Sequence, residues 1–417
     1  MALKRVVVTG LGALTPLGKT VDEFWQNLSK GVSGCDYIKQ FDVTKFKTRF
    51  ACEVKDFDPT TYLDKKEARK IDRYCQFALI ASDEAVRDAG ITKENIDPDR
   101  VGVIFASGIG GLITFQEEVM NFAAGDGTPR FNPFFIPKMI LDIAAGQISM
   151  RNGFRGPNYA VVSACASSTN AIIDAFDNIR LGKADIIITG GSEAVISAAG
   201  VGGFNAMKAL SERNDDPSTA SRPFDKDRDG FVMGEGAGVL VLESLDHALA
   251  RGAKIYCEVA GGAATADAHH ITAPHPEGLG ANNVMKAALK DAGMNPEEVD
   301  YINVHGTSTP LGDIAESKAI LKVFGEHAYN LNISSTKSMT GHCLGAAGAL
   351  EALACILAVT KNIIPPTINH FTDDPELDPK LNFTFNKAQE KVVNAALSNT
   401  FGFGGHNASI IVKKYSA

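Results

Sequence analysis

The chain reads as an internally duplicated α/β protein, and three pairs of matching segments predict it. Residues 5–13 (RVVVTGLGA) resemble 254–263 (KIYCEVAGGA), each a strand running into a glycine turn. Residues 101–108 (VGVIFASG) are answered by 299–306 (VDYINVHG). Residues 159–173 (YAVVSACASSTNAII) and 331–350 (LNISSTKSMTGHCLGAAGAL) are each a strand, a polar turn and then a helical pattern. Late strands at 239–242 and 409–412 close the two halves. Apolar strands alternating with helical segments predict buried, largely parallel sheets with helices on both faces. Two halves follow, 1–252 and 253–417, with no low-complexity linker between them, so they are expected to share an interface. Matched strands are further apart in the first half, notably across 112–158. There Phe131, Pro133, Phe134, Phe135 and Pro137 predict an apolar, irregular cap.

At 417 residues the chain exceeds one typical core, which agrees with two subdomains. Its 45% hydrophobic and 22% charged residues are ordinary for a soluble globular protein. The opening residues 1–8 (MALKRVVV) run straight into a strand without the apolar core of a signal peptide. No apolar run is read as approaching the roughly 20 residues of a membrane span. The expectation is a cytoplasmic protein. Seven cysteines, odd in number and without a CxxC pair, support neither a disulfide framework nor a thiolate metal site. A net charge of −8 and a pI near 5.6 argue against nucleic acid as partner. An acidic partner needs a local basic patch.

Among those cysteines, Cys165 stands between a short β-branched strand and a helical pattern that starts at once. A buried core is the ordinary place for a free cysteine. At a strand-to-helix turn, however, the helix dipole and unpaired N–H groups are expected to lower the thiol pKa and favour the nucleophilic thiolate. Small neighbours Ala164, Ala166 and Ser167 leave room for a substrate. His305 lies just past a predicted strand and His342 just before a helix. Each alone reads as a structural histidine. In a duplicated fold both fall at carboxyl ends of strands, where open α/β sheets bind ligands, and converge with Cys165 on one crevice. Two neutral imidazoles there could donate Nε2–H bonds to an enolate oxygen.

Lys337 and Glu351 are expected to form a buried ion pair that fixes the helix entry and sets the electrostatics of the histidines. The small-residue run 344–350 (LGAAGAL) reads as a surface for close helix packing. Residues 402–407 (GFGGHN) form a glycine loop able to aim an N–H at an oxyanion, or to act as a hinge. Residues 65–73 (KKEARKIDR) place 66, 69, 70 and 73 on neighbouring turns of one helix, a basic face in an acidic protein. Three other patterns fail. Residues 9–12 (TGLG) lack the third glycine of a dinucleotide fingerprint. The stretch from Asp225 has Gly236 where a calcium loop needs its bidentate ligand. His269 and His270 have no third ligand at zinc-like spacing.

Four ordered motifs carry a resemblance: 164–168 (ACASS), 304–313 (VHGTSTPLGD), 335–342 (STKSMTGH) and 399–405 (NTFGFGG). Together they look like a β-ketoacyl-acyl-carrier-protein synthase, in particular the type II synthase of dissociated bacterial fatty-acid synthesis. The likeness runs from Val6 to Lys414. It implies a thiolase-like, five-layer αβαβα architecture and a homodimer. It also implies acyl carrier protein as partner, with no metal and no cofactor beyond the phosphopantetheine that the carrier brings.

By position the resemblance implies that Cys165 takes the acyl group, with the N–H groups of Cys165 and Phe401 as oxyanion hole. His305 and His342, beside the Lys337–Glu351 pair, would assist loss of CO2 from malonyl carrier, whose carbanion attacks the acyl-Cys165. Thr307 and Thr309 would hold the pantetheine arm. Phe401 would gate the acyl pocket, moving with 402–405 and the loop around Asp267. Ile109 and Phe204 would line that pocket, and Lys66, Arg69, Lys70 and Lys208 would dock the carrier. His406 stands where many relatives have Thr. A polyketide ketosynthase shares nearly every motif. A thiolase or type III synthase would lack one histidine, and a non-catalytic chain-length partner subunit would lack the cysteine.

Overall fold

The computed structural model describes residues 3–416. In the first half β1 (Val6–Leu14) leads to α1 (Val21–Ser29), then to a small pair of β2 (Asp36–Tyr37) and β3 (Phe50–Ala51). The short α2 (Lys65–Ala68), α3 (Arg73–Asp88) and β4 (Val101–Ala106) come next. The insertion contains α4 (Leu112–Ala123), α5 (Phe135–Met139) and α6 (Ile143–Asn152). β5 (Asn158–Val161), α7 (Ser167–Arg180), β6 (Ile186–Glu193), α8 (Ala198–Ala206), β7 (Gly236–Ser244) and α9 (Leu245–Ala250) complete this half. The second half runs β8 (Cys257–Ala266), α10 (Leu279–Ala292), β9 (Tyr301–Asn303), α11 (Pro310–Phe324), β10 (Asn332–Ser334) and α12 (Lys337–Thr340). It ends with α13 (Ala347–Lys361), a small pair of β11 (Ile363–Ile364) and β12 (Gln389–Glu390), then β13 (Ala395–Gly402) and β14 (His406–Lys413).

The strand order states the duplication directly. One half is ordered β5-β4-β6-β7-β1 and the other β10-β9-β13-β14-β8, and the two runs meet where β1 pairs with β8 at Val6–Val259, Val7–Glu258 and Val8–Cys257. α7 and α13 pack against each other and against strands of both runs, while α3 with α6 and α10 with α11 cover the outer faces. This is the five-layer arrangement. Each boundary between layers is apolar, with separate clusters for the central layer and for each outer face.

The sheet is mixed rather than largely parallel. β4 pairs in parallel with β5 and β6, and β9 with β10 and β13, but β6–β7, β7–β1, β13–β14, β14–β8 and β1–β8 are antiparallel. Helices on both faces bury antiparallel strands as fully as parallel ones, so apolar runs alone do not distinguish the two. The glycines of 9–12 lie inside β1 rather than in a turn after it. A Cβ on Gly12 would sit 1.9 Å from the Ala81 carbonyl oxygen, so α3 lies directly on the strand there.

The small-residue run before α13 has the same cause. A Cβ on Gly348 would come within 2.0 Å of Thr169 Oγ1, and Ala349 N–H donates to Ser168 Oγ at 2.9 Å, so the two central helices touch almost backbone to backbone. Against the expectation that no apolar run approaches a membrane span, residues Leu344–Lys361 are long and apolar enough to cross one by length and composition. Of this stretch 89% is buried, in the central layer of the fold.

Candidate active site

Cys165 sits in a three-residue 3-10 turn, Ala164–Ala166, that runs into α7. Ala164 takes φ of +51°, a left-handed conformation that bends the chain sharply from β5 into the helix. Side chains hold the bend: Ser163 N–H donates to Ser167 Oγ at 2.8 Å, and Asn170 Nδ2 donates to Ser163 Oγ at 2.6 Å. The thiol is 7% exposed. Burial pushes its pKa up to about 12, against the opposing pull of the Lys337 charge and of a hydrogen bond from the Phe403 N–H. The expected low-pKa thiolate is therefore overturned, because desolvation of the anion outweighs the helix terminus. The thiol needs a base at hand. His342 Nε2 lies 2.9 Å from Cys165 Sγ.

Both histidines arrive as expected. His305 follows β9 and its N–H donates to Glu316 Oε1 at 3.0 Å, with Gly306 N–H on Oε2 at 2.9 Å. His342 is held by its own N–H to the Val232 carbonyl (2.7 Å) and by Gly234 N–H to its carbonyl (2.9 Å). The two rings meet edge to face with centroids 5.3 Å apart. Burial lowers both pKa values well below the usual histidine range, with the Lys337 charge adding to it, so both rings are neutral. Each Nδ1 lacks a protein partner.

Lys337 opens α12 and its ammonium pairs with Glu351, in the second turn of α13, both 2% exposed. Burial still pushes the Glu351 carboxyl up to about 7. Glu351 Oε2, Asn303 Oδ1 and Ser398 Oγ are buried without partners. They are hard oxygen donors, of the kind that suits a water molecule or an alkali cation rather than a transition metal. Among the described residues no group of three or more His, Cys, Asp or Glu is arranged to hold a metal ion.

A cavity of about 650 Å³ opens onto Cys165, His305 and His342. Ile109, Phe204, Asp267, Thr307, Thr309 and Phe401 all line it, and so does Lys208. The Thr307 and Thr309 hydroxyls are 3.1 Å apart. Asp267 accepts from Asn407 Nδ2 at 2.8 Å, and its N–H donates to the Gly405 carbonyl at 2.8 Å. The Asp267 loop and the glycine loop are thereby stitched together.

Three expectations need correction. The N–H that reaches the sulfur belongs to Phe403, not Phe401. Phe401 is still inside the hairpin, in register with Asn407, and its ring packs against His305 at 5.5 Å. The chain turns only at Gly404 and Gly405, both at positive φ, which carries Phe403 over the thiol and against Phe204. The basic stretch is not one helix: α2 stops at Ala68, and Asp72 starts α3 by accepting the Tyr74 N–H. Lys66, Arg69 and Lys70 are exposed, whereas Arg73 turns inward to Glu235 at 2.7 Å. The 112–158 cap is mostly helical, with an exposed apolar surface at Phe115, Val119, Met120, Phe131, Phe134 and Ile136.

Comparisons with known proteins bear on this site. Residues 3–248 match the model of the β-ketoacyl synthase N-terminal domain and 256–371 that of its C-terminal domain. The chain belongs to the β-ketoacyl synthase family. It is 51% identical over 412 residues to the 3-oxoacyl-[acyl-carrier-protein] synthase 2 of Synechocystis, covering 99% of this chain and 98% of that protein. It is 50% identical over 417 residues to the protein of the same description in Staphylococcus aureus, covering 99% of each. Among solved structures of β-ketoacyl synthases and their kin, the ishigamide ketosynthase/chain length factor superimposes with a TM-score of 0.93 at 36% identity, covering 100% of both chains. A type II PKS acyl-carrier protein in complex with its ketosynthase bound to the hexaketide gives a TM-score of 0.91 at 36% identity, covering 99% of this chain and 100% of that one.

Proposed function

We propose that the protein is an elongating 3-oxoacyl-[acyl-carrier-protein] synthase, a condensing acyltransferase of fatty-acid biosynthesis. The observation that carries the reading is His342 Nε2 at 2.9 Å from a buried thiol, with a second neutral imidazole beside it at the end of an apolar cavity. In the first step the Cys165 proton passes to His342 as the sulfur attacks the carrier thioester. The carbonyl oxygen is received by the N–H groups of Cys165 and Phe403. The intermediate collapses, the pantetheine thiolate leaves, and His342 returns the proton to it. Malonyl carrier enters next. With Cys165 acylated and no thiol facing Nε2, His342 takes its Nε2–H tautomer. Neutral His305 and His342 then donate N–H bonds to the thioester oxygen as the carboxylate leaves as CO2, and the resulting carbanion attacks the acyl carbonyl on Cys165. The Cys165 thiolate departs and takes up a proton from solvent, and a 3-oxoacyl carrier two carbons longer is released.

Burial keeps both imidazoles neutral, and the charge of Lys337, paired with Glu351, adds to it. Thr307 and Thr309 hold the pantetheine arm, and Ile109, Phe204 and the Phe401–Phe403 loop with Asp267 shape the acyl pocket. The enzyme needs no cofactor beyond the carrier's phosphopantetheine. Exposed Lys66, Arg69, Lys70 and Lys208 receive the acidic carrier in an otherwise acidic protein. Residues 1–252 supply the nucleophile and 253–417 the histidines. A cytoplasmic homodimer completes the reading: β5 is an edge strand of the sheet with Tyr159 exposed, Val162 just after it is exposed, and the α4–α5 insertion carries a further exposed apolar surface. The 50–51% relatives favour this reading over a polyketide ketosynthase, for which the structural neighbours stand at 36%. The presence of Cys165 argues against a non-catalytic chain-length partner.

The test is incubation of the purified protein with malonyl carrier and a ladder of acyl carriers, with products resolved by mass spectrometry. Products two carbons longer are expected, and the length at which yield falls measures the pocket. No product at any length overturns the proposal.

A further inference from the structure

The duplicated halves each build a turn of backbone N–H groups at the carboxyl ends of their strands, and the two turns differ in one side chain. Cys165 is the middle residue of the 3-10 turn Ala164–Ala166, preceding α7. Gly345 is the middle residue of the 3-10 turn Leu344–Ala346, preceding α13. Both turns start with a left-handed residue, φ +51° at Ala164 and +46° at Leu344. Facing each turn is the last residue of an eight-residue central strand: Gly402 of β13 faces Cys165, and Glu193 of β6 faces Gly345. A Cβ on Gly402 would lie 3.1 Å from the Cys165 nitrogen, so the glycine leaves that N–H open to a substrate oxygen.

At the matched place Glu193 fills the opening. Its Oε2 accepts the N–H of Gly345 at 3.0 Å and of Gly108 at 2.8 Å. Its Oε1 accepts the Ser107 hydroxyl at 3.0 Å and the Ile109 N–H at 3.2 Å. By the match of 101–108 with 299–306, Ser107 and Gly108 are the counterparts of His305 and Gly306. Glu193 is fully buried, and among the described residues it forms no ion pair with Lys, Arg or His. Three backbone N–H dipoles and the Ser107 hydroxyl hold the charge, as such donors hold an oxyanion.

We propose that the Glu193 carboxylate is a built-in anion occupying the sister copy of the oxyanion cradle, and that the emptied cradle binds a small carboxylate such as formate. Its function is positioning. It joins Ile109, a wall of the acyl cavity, to the turn three residues beyond His342, and so fixes the distance between acyl pocket and base. Burial pushes its carboxyl up to about 6, which still leaves it mostly ionised at neutral pH.

The experiment compares Glu193→Ala with wild type in sodium formate and in sodium chloride of equal ionic strength. Melting temperature and the product ladder are both read. Glu193→Ala is expected to melt lower and to lose roughly ten- to a hundredfold in condensation, most for long acyl chains, because Ile109 and His342 drift apart. Formate, and not chloride, is expected to raise its melting temperature and restore part of the long-chain products, with no effect on wild type. Wild-type melting and products in Glu193→Ala overturn the proposal, and so does a loss that formate repairs no better than chloride. If Glu193→Ala does not fold, Glu193→Gln decides, since its NH2 group faces two N–H donors. It is expected to melt lower with shortened products, and wild-type behaviour overturns the proposal. The melting shift needs no substrate, so it stands or falls apart from the condensation reading.

Discussion

The 3-10 turns that precede α7 and α13 share a backbone and differ in use. Around Cys165 the facing residue is Gly402 and the N–H stays free; around Gly345 the facing residue is Glu193 and the N–H is taken. One half thus places the Cys165 thiol under an open cradle, and the other places His342 three residues before a turn locked by the Glu193 carboxylate, with His305 held separately by Glu316. The difference teaches that duplication here yields one site from two similar ends. The second copy has become the support of the first.

The largest effect is expected where the open cradle loses its nucleophile. Cys165→Ala should lower condensation by about 10⁴-fold or more while its melting temperature stays near that of wild type. Undiminished elongation would remove the thiol from the mechanism. Next comes Gly402→Ala, which makes the open turn resemble the closed one by setting a methyl group 3.1 Å from the Cys165 nitrogen and 2.6 Å from the Ser163 carbonyl oxygen. Acylation of Cys165 should fall by about 10²–10³-fold, the scale of a lost oxyanion donor, and acyl transfer measured within threefold of wild type would show that the cradle is not there.

The support has its own sensitive point at the Lys337–Glu351 pair. Lys337→Ala leaves an uncompensated buried carboxylate and should cost roughly 3–5 kcal/mol in denaturant unfolding, and Lys337→Ala with Glu351→Ala together should cost less than the sum of the two. Additive losses would mean that the pair is not coupled. The smallest effect is expected at the rim. Lys66→Glu or Lys208→Glu should raise KM for the carrier severalfold, leave kcat unchanged and make KM less sensitive to salt. A change in kcat alone would place these residues elsewhere in the cycle.

Much of this arrangement was legible in the residues. Three matched segment pairs contained the duplication, and the strand orders β5-β4-β6-β7-β1 and β10-β9-β13-β14-β8 repeat it. Cys165, His305, His342, Lys337 and Glu351 could be chosen because each is a chemically distinctive residue at the end of a strand or start of a helix. What stayed hidden depended on three-dimensional context. Phe401 and Phe403 flank the same glycine, and only the hairpin register with Asn407 shows which N–H reaches the thiol. Glu193 and Glu316 are ordinary acidic residues in sequence. Their partners are backbone N–H groups from distant segments, Gly108 and Gly345 for one and His305 and Gly306 for the other. The break after Ala68 comes from Asp72, which caps α3 and also accepts the Thr114 hydroxyl 42 residues away. The thiol's raised pKa follows from burial, which a helix-end argument does not contain.

The measurement that bears most directly on the open cradle is peptide mapping after one equivalent of acyl carrier, followed by a chase with malonyl carrier. One acyl group per chain should appear on Cys165 and leave as a 3-oxoacyl carrier two carbons longer. Acylation at another residue, or an acyl-Cys165 that malonyl carrier does not discharge, would contradict the mechanism.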